Sequence, residues 1–325
     1  MTTTLNRRAL MAAGLSAPIA AAAQEVWPAR PVRVIVPFPP GQAADIFTRV
    51  VVDELSRRWA ARAFVENRGG AAGVPAMEAG ARAAPDGYTL CVGSSGTLGV
   101  NPSVLRQIPY DVEKDFAFLT NIAVFPLVIV VRADFPARDL HGLLTALRAR
   151  PGQIALGLPG VATSQHMAAE LLMHRTGTRF NTVGYRGSGP AQADLLAGVV
   201  PVMFDTVASA LPHIRSGALR ALAVTTTARA PQLPDVPTVA ESGVTDFAAF
   251  GWSGLVAPAG TPAPVLERIN ADVTAILRQE RTVSQFVELG GTADPMTPAG
   301  FEAFVKAEVA KWREVARVAD VRLDG

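Results

Sequence analysis

The stretch that decides the fold spans residues 34–45 and reads Val34-Ile-Val-Pro37-Phe38-Pro39-Pro40-Gly41-Gln42-Ala43-Ala44-Asp45. Its β-branched start predicts a buried strand, which the prolines and Gly41 end in a tight turn. Apolar residues then recur at helical spacing as far as Trp59, so the turn opens directly onto a helix N-terminus. The first turn of a helix has backbone N–H groups without intrahelical partners and the positive end of the helix dipole. The stretch therefore predicts half of a cleft that binds an anion, for which we expect a carboxylate.

The same succession of strand, turn and helix repeats along the chain. Further buried strands are predicted at Tyr88–Val92, Ile154–Leu158 and Val199–Phe204. A strong strand at Phe125–Arg132 is expected to cross to a second lobe, and one at Trp252–Ala257 to cross back. This alternation indicates an α/β protein with mostly parallel, doubly wound sheets. A length of 325 residues fits two such domains.

The charge balance argues against a nucleic-acid partner. The whole chain has 30 basic and 28 acidic residues. Once residues 1–23 are removed, Arg7 and Arg8 are lost and 28 basic residues face 28 acidic ones. No net positive charge remains to attract nucleic acid or an anionic membrane.

The N-terminus is typical of a cleaved export signal. A twin arginine, Arg7-Arg8, precedes a short apolar stretch and the small residues Ala20 to Ala23, after which we expect cleavage. The pair occurs in both twin-arginine and Sec signals, so both export routes stay open. The apolar stretch is too short to cross a bilayer, for which about 20 residues are needed. The sequence thus predicts a soluble periplasmic protein that is not embedded in the membrane.

Four predicted turns share one chemistry. At Gly41, Ser94/Ser95, Thr163/Ser164 and Gly187/Ser188, a strand ends in glycine, serine or threonine before a helix begins. Ligands of open α/β sheets bind beyond the carboxyl ends of the strands, where such turns meet. Backbone N–H groups and hydroxyls can hold a carboxylate there without a fixed opposite charge. The alternative is that these are ordinary capped turns of a doubly wound sheet.

Catalytic and metal-binding patterns are weak. Residues 93–97 would form a nucleophile elbow only if Thr97 were glycine, so a hydrolase using Ser95 is a remote alternative. His166 and His174 are eight residues apart, the wrong spacing for a paired metal site. His166 opens a helix and is a candidate binding residue, although a surface or capping histidine is the plain alternative. Cys91, the single cysteine, is expected to be a small apolar residue in a buried strand. No cofactor and no metal are expected.

The chain resembles the substrate-binding proteins of tripartite tricarboxylate transporters, the Bug-type proteins, over nearly its whole mature length. The matching motifs stand in one order, which makes the likeness specific. They include Ile35-Val-Pro-Phe-Pro-Pro-Gly41 with Asp45, Glu66-Asn67-Arg68, Ala84-Pro-Asp-Gly-Tyr88, Asn101-Pro102, Ser164-Gln165-His166, Tyr185-Arg-Gly187, Phe204-Asp205 and Leu233-Pro-Asp-Val-Pro-Thr-Val-Ala-Glu241.

The resemblance implies a type II periplasmic-binding-protein fold, in which two lobes joined by two crossover strands close on a small organic carboxylate. Lobe one would comprise residues 24–123 and about 228–325, and lobe two about 124–227. A monomer is expected, and the ligand would be delivered to membrane subunits of a transporter. The alternative is a sensor whose ligand-bound form engages a signalling kinase.

The resemblance also places the ligand site. In lobe one it implies ligand binding by Phe38, Pro39, Gly41, Gln42, Ala43, Asp45, Ser94, Ser95, Thr97 and Asn101. In lobe two it implies ligand binding by Thr163, Ser164, His166, Tyr185, Gly187, Ser188 and Asp205.

Two departures from the family pattern bear on the ligand. The usual second glycine of the first loop is Gln42, and the usual proline before Tyr185 is Gly184. Gln42 adds a donor and an acceptor where bare backbone is the rule. It is expected either to narrow the pocket or to bind a polar group of the ligand.

Overall fold

The computed structural model describes residues 27–59, 61–318 and 321–323. The predicted export signal lies outside these residues. In the described part, no helix is both long and apolar enough to cross a membrane.

The first half of the described chain alternates as predicted. Its strands and helices are β1 (Val32–Val36), α1 (Ala43–Arg58), β2 (Ala63–Asn67), α2 (Val74–Ala81), β3 (Thr89–Ser94), α3 (Asn101–Val104) and β4 (Phe116–Arg132). A π-helical turn, Ser95–Val100, connects β3 to α3. Cys91 is 1% exposed within β3, and burial raises the pKa of its thiol to about 12. The interpretation of Cys91 as a buried apolar residue is therefore confirmed.

The second half continues the alternation and then returns to the first. Its elements are α4 (Leu140–Ala149), β5 (Ala155–Leu158), α5 (Ser164–Thr176), β6 (Asn181–Gly184), α6 (Ser188–Ala197), β7 (Val202–Thr206), α7 (Val207–Arg215), β8 (Leu219–Val224), β9 (Phe250–Pro258), α8 (Ala263–Leu277), α9 (Glu280–Glu288), β10 (Thr292–Ala293) and α10 (Pro298–Val318).

The strands form two parallel groups joined by two antiparallel strands. Neighbours follow the order β2-β1-β3-β9-β4-β7-β5-β6. β1 is parallel to β2 and β3, and β5 is parallel to β6 and β7. β4 pairs with β9 over Phe116–Pro126 and with β7 over Leu127–Val131, so one strand passes from the first group to the second. The predicted two-lobed α/β architecture is confirmed.

β4 is longer than the sequence indicates. It has 17 residues, whereas a strand was predicted only for Phe125–Arg132. Its first part, around Thr120 and Asn121, has buried polar residues that interrupt the apolar run. Asn121 Nδ2 donates to Asp294 at 2.9 Å and Thr120 Oγ1 accepts from the N–H of Met296 at 2.9 Å. Residues distant in sequence therefore pair with the Asn121 Nδ2 and Thr120 Oγ1 atoms of a segment whose polar residues resemble those of a loop.

The segment between β8 and β9 packs on the second group of strands. Val239, Phe247 and Ala249 share an apolar cluster with Leu127 and Ile129 of β4. The backbone N–H of Val239 also donates to Val224 at 2.9 Å. The lobe limits stay a proposal, and these contacts favour a second limit near residue 249 over the expected 228.

Candidate functional site

The starts of four helical segments meet at one cavity, which we call the inner cavity. It measures about 20 Å³, little more than one water molecule needs. Its lining comprises Phe38, Gln42, Ala43, Ala44, Ser94, Ser95, Gly96, Phe125, Thr163, Ser164, Gln165, Thr206 and Trp252. These residues belong to the beginnings of α1, the π-helical turn, α5 and α7, and to the strands β4 and β9. Three of the four predicted strand-to-helix turns thus converge here, and the start of α7 stands in place of the turn at Gly187 and Ser188.

Capping hydroxyls shape three of these four starts. Ser94 Oγ accepts from the N–H of Thr97 at 3.1 Å, Thr163 Oγ1 from that of His166 at 3.3 Å, and Thr206 Oγ1 from that of Ser209 at 3.1 Å. Each bond satisfies the N–H three residues further on, which leaves the earlier N–H groups of the turn for another acceptor. Together with the helix dipoles, these N–H groups give the inner cavity a positive potential.

The inner cavity is polar but carries no side-chain charge among its described lining residues. Phe38, Phe125 and Trp252 supply apolar walls, whereas the hydroxyls and amides are neutral. An anion bound there would be held by neutral donors in an environment of low dielectric, where each hydrogen bond counts for more than it does in water.

A second cavity, which we call the outer cavity, adjoins the first. It measures about 200 Å³ and shares Phe38, Gln42 and Thr163 with the inner cavity. Its lining also includes Pro37, Pro39, residues 70–73, residues 159–161 and residues 184–187. Tyr185 Oη donates to Asp194 at 2.8 Å, so the hydroxyl of this residue is engaged within its own lobe.

Gly187 explains how closely the two sides of the outer cavity approach each other. It has φ +115°, a conformation that favours glycine, and a Cβ placed on it would lie 2.4 Å from Cγ of Pro39. Any larger residue would push the Pro39 loop away from the opposite turn.

Asp45 anchors the loop at the start of α1 instead of lining either cavity. Its carboxylate accepts from the Gly41 N–H at 3.0 Å, from Asn67 Nδ2 at 2.8 Å and from Arg49 Nε at 2.9 Å. Asn67 Nδ2 also donates to the carbonyl of Phe38 at 2.8 Å. The ion pair with Arg49 and these bonds hold residues 38–45 in one conformation.

Asp205 anchors the start of α7 in a different way. It is fully buried and accepts from Ser188 Oγ at 2.7 Å, from Gln192 Nε2 at 2.7 Å and from the Thr206 N–H at 2.8 Å. Burial raises the pKa of its carboxyl to about 6, and the three hydrogen bonds oppose that shift.

A hydrogen bond connects the Asp205 cluster to the loop that Asp45 holds. Gln192 Nε2 also donates to the carbonyl of Ser209 at 2.9 Å, and Thr206 Oγ1 donates to Ser209 Oγ at 3.0 Å. Ser209 Oγ in turn donates to the carbonyl of Gly41 at 3.1 Å. The Gly41 N–H is thus held by Asp45 and its carbonyl by Ser209 of the facing lobe.

The structure brings ten of the predicted ligand residues to the two cavities, where ligand contact stays a prediction. The inner cavity takes Phe38, Gln42, Ala43, Ser94, Ser95, Thr163 and Ser164, and the outer cavity adds Pro39, Tyr185 and Gly187.

Seven other predicted residues lie outside both linings. Gly41, Asp45, Ser188 and Asp205 belong to the hydrogen-bonded clusters just described. The other three are Thr97, Asn101 and His166. Thr97 Oγ1 accepts from the backbone N–H of Ser94 at 3.0 Å, and Asn101 Nδ2 donates to the carbonyl of Ala72 and to Tyr110 Oη.

His166 is oriented by its own helix. Its Nδ1 accepts from the N–H of Ala162 at 3.3 Å, and its Nε2 lies 3.4 Å from Glu170. These contacts favour the capping alternative for this residue. In the described residues, no group of three or more His, Cys, Asp or Glu side chains is placed to hold a metal ion.

Among the residues that line the inner cavity, sequence reasoning overlooked Phe125, Thr206 and Trp252. Thr206 is the instructive omission, because it follows a buried strand just as Ser94 and Thr163 do. The helix after it contains Pro212, which hides the helical pattern. A search for every hydroxyl residue at a strand end would have found it.

Comparisons with known proteins place this geometry in context. The family model described as "Tripartite tricarboxylate transporter family receptor" matches residues 47–320. Protein BugT of Bordetella pertussis is 37% identical over 312 residues, which cover 96% of this chain and 95% of BugT.

Two solved structures with the same fold are complexes with a named ligand. The structure of R. palustris Rpa4515 with adipate is 32% identical, covers 91% of this chain and 99% of its own, and has a TM-score of 0.89. MatC from Rhodopseudomonas palustris with bound malate is 31% identical, covers 89% and 99%, and has a TM-score of 0.84.

Proposed function

The chain belongs to the receptor family of the tripartite tricarboxylate transporters, a family of periplasmic solute-binding proteins and not of enzymes, and from this we propose that it captures a small organic carboxylate and delivers it to such a transporter. The observation that carries the proposal is the convergence of four helical starts on an inner cavity lined by neutral donors. Relatives bound to adipate and malate support a carboxylate ligand.

The carboxylate would lie in the inner cavity and the remainder of the ligand in the outer cavity. The first turns of α1, α5 and α7 each present free N–H groups, and a negative charge near one helix N-terminus gains about 0.3–1 kcal/mol. Three such terms contribute about 1–3 kcal/mol to the binding free energy without a buried cation. A ligand held in this way can be released to a transporter without separating a buried ion pair.

Capture requires the two lobes to move. At about 20 Å³ the inner cavity has little room for a ligand in this conformation, so we expect the lobes to separate to load or release it. β4 runs continuously through both groups of strands and can bend near Pro126, where its partner changes from β9 to β7. Ligand binding would then shift the equilibrium towards the closed form, in which Ser209 reaches Gly41.

A binding screen tests capture directly. The purified protein is unfolded and refolded to remove any ligand that copurifies with it, and its melting temperature is measured with mono-, di- and tricarboxylates. A ligand at a hundred times its Kd should stabilise the protein by about 2.7 kcal/mol. Absence of any shift across the panel would contradict the proposal.

Ser95 offers a matched pair of variants for locating the bound carboxylate. This residue is 3% exposed and lines the inner cavity. Ser95→Asp introduces a negative charge that repels a carboxylate, whereas Ser95→Asn has nearly the same shape without the charge. We expect binding to be abolished in the first variant and at most weakened in the second. Equal effects would place the carboxylate elsewhere.

Delivery needs its own measurement. Uptake of the labelled ligand is compared in cells that carry the membrane subunits of the transporter, with and without this protein. Uptake that does not depend on the protein, despite tight binding, would contradict delivery while leaving capture intact.

A further inference from the structure

Gln42 stands between the two cavities with its amide oxygen unpaired. The residue is 5% exposed and lines both the inner and the outer cavity. Its Oε1 is buried and has no hydrogen-bond partner among the described residues. Gln42 is the N-cap residue of α1, but its side chain makes no capping hydrogen bond. The amide oxygen is therefore not used by the fold.

A buried amide oxygen without a partner is costly, because it gives up its hydrogen bonds to water and receives nothing in return. Gln279 shows the ordinary situation. It too is an N-cap residue in an extended conformation without a side-chain capping bond, at the start of α9, but it is exposed to solvent. The difference indicates that the Gln42 amide is placed for a ligand.

A ligand that offered only carboxylate oxygens would not satisfy this amide. Carboxylate oxygens accept hydrogen bonds, so they can pair with Nε2 but not with the buried Oε1. Oε1 needs a donor, which a hydroxyl or an ammonium group can supply. A hydroxyl both donates and accepts, so it can pair with either end of the amide.

The surroundings favour a hydroxyl over an ammonium group. The described lining of the inner cavity holds no acidic side chain that would balance a positive charge. The outer cavity is lined by Arg186, which adds a cation instead of an anion. A buried ammonium group would therefore lack a counter-ion, whereas a neutral hydroxyl needs none.

We infer that Gln42 is a specificity-determining residue that selects carboxylates bearing a hydroxyl group close to the bound carboxylate. The inference rests on the proposed function, since it assumes a carboxylate at the start of α1. Gln42 is adjacent to Ala43 and Ala44, whose N–H groups open that helix, so its amide reaches the ligand carbons next to the carboxylate.

Matched pairs of acids that differ by one hydroxyl test the inference. The dissociation constants of malate and succinate, and of 2-hydroxyadipate and adipate, are measured by calorimetry. The wild-type protein should prefer the hydroxylated member of at least one pair about tenfold, which corresponds to about 1.4 kcal/mol. In Gln42→Gly and Gln42→Met the two acids of each pair should bind about equally. Gln279→Gly, the same change at an exposed N-cap, should leave it unaltered.

The outcomes separate this inference from the proposed function. Equal binding of both members of every pair by the wild-type protein would overturn the role of Gln42 but leave carboxylate capture in place. A preference that survives both Gln42 variants would overturn it as well. Binding of none of the four acids would count against both. Glycine is well tolerated at N-cap positions, and melting curves verify that the variants are folded.

Discussion

Asp45 and Asp205 each stabilise the start of a helix at the binding loops, but they do so with different partners. Each is a buried aspartate beside the start of a helix that faces the inner cavity, and each accepts a backbone N–H of the binding loops. Asp45 is paired with Arg49, whose side chain is 46% exposed. Asp205 is fully buried, and its three hydrogen-bond partners among the described residues are the neutral groups of Ser188, Gln192 and Thr206.

The difference shows how the two lobes are held. The Asp45 cluster lies within lobe one. The charge of its carboxylate is balanced by Arg49, which is partly exposed to water. Burial of the Asp205 carboxyl costs free energy and raises its pKa. The Asp205 cluster extends through Ser209 to the Gly41 carbonyl. Asp45 therefore fixes one loop, whereas Asp205 supports the contact between the lobes.

The largest expected effect is that of Asp205→Ala. Three donors lose their acceptor in a site closed to water, so we expect the free energy of unfolding to fall by about 3 kcal/mol. Urea unfolding followed by tryptophan fluorescence measures this. Asp235→Ala, at an exposed position, is the control and should change the value by less than about 0.5 kcal/mol. If Asp205→Ala lowered the free energy of unfolding as little as the control does, water would have to replace the carboxylate as acceptor.

Asp45→Ala should cost less, about 1–2 kcal/mol, because Arg49 can turn to solvent when its partner is removed. The same urea experiment applies, with Asp53→Ala on the exposed side of α1 as the control. If Asp45→Ala proved more damaging than Asp205→Ala, the half-exposed ion pair would be the stronger anchor and the comparison would be reversed.

The third prediction concerns pH. The folded pKa of Asp205 is raised from 3.8 to about 6, so the folded state binds more protons than the unfolded state between these values. Its contribution to stability is then fully present below pH 3.8 and is lost as the pH rises through 6. Between pH 5 and 7.5 the wild-type protein should lose about 1 kcal/mol relative to Asp205→Asn. A stability difference that does not vary with pH would place the folded pKa near its ordinary value.

The smallest effect is expected for Ser209→Ala. It removes the hydrogen bond to the Gly41 carbonyl, worth about 1 kcal/mol, so the Kd of the carboxylate found by screening should rise about fivefold. Ser216→Ala, whose hydroxyl donates to the nearby carbonyl of His213, is the matched control. An unchanged Kd would show that this bond does not contribute to the ligand-bound form.

Local patterns were sufficient for much of the fold. The strands predicted at Tyr88–Val92 and Ile154–Leu158 correspond to β3 and β5, and Thr163, predicted at a turn before a helix, caps α5. The alternation of strands and helices indicated two α/β lobes. Where prediction was incomplete, distant residues had intervened, as Asp294 and Met296 do at the polar start of β4.

The binding site was predicted less completely than the fold. A hydroxyl residue at the end of a strand indicates a turn, and three of the four predicted turns do line the inner cavity. The fourth, at Gly187 and Ser188, is divided between the outer cavity and the Asp205 cluster, and Thr206 takes its place. Sequence shows which residues can hold an anion but not which way each side chain points.

The sequence by itself therefore determined the kind of protein: the order of strands and helices, the small polar turns and the family motifs are all local properties of the chain. Tertiary structure decided which of those turns share a cavity, that the Asp205 carboxyl is cut off from water, and that the Gln42 amide oxygen is left unpaired between two cavities. These properties depend on burial and on partners more than a hundred residues away, as between Ser209 and Gly41, and no local pattern encodes them.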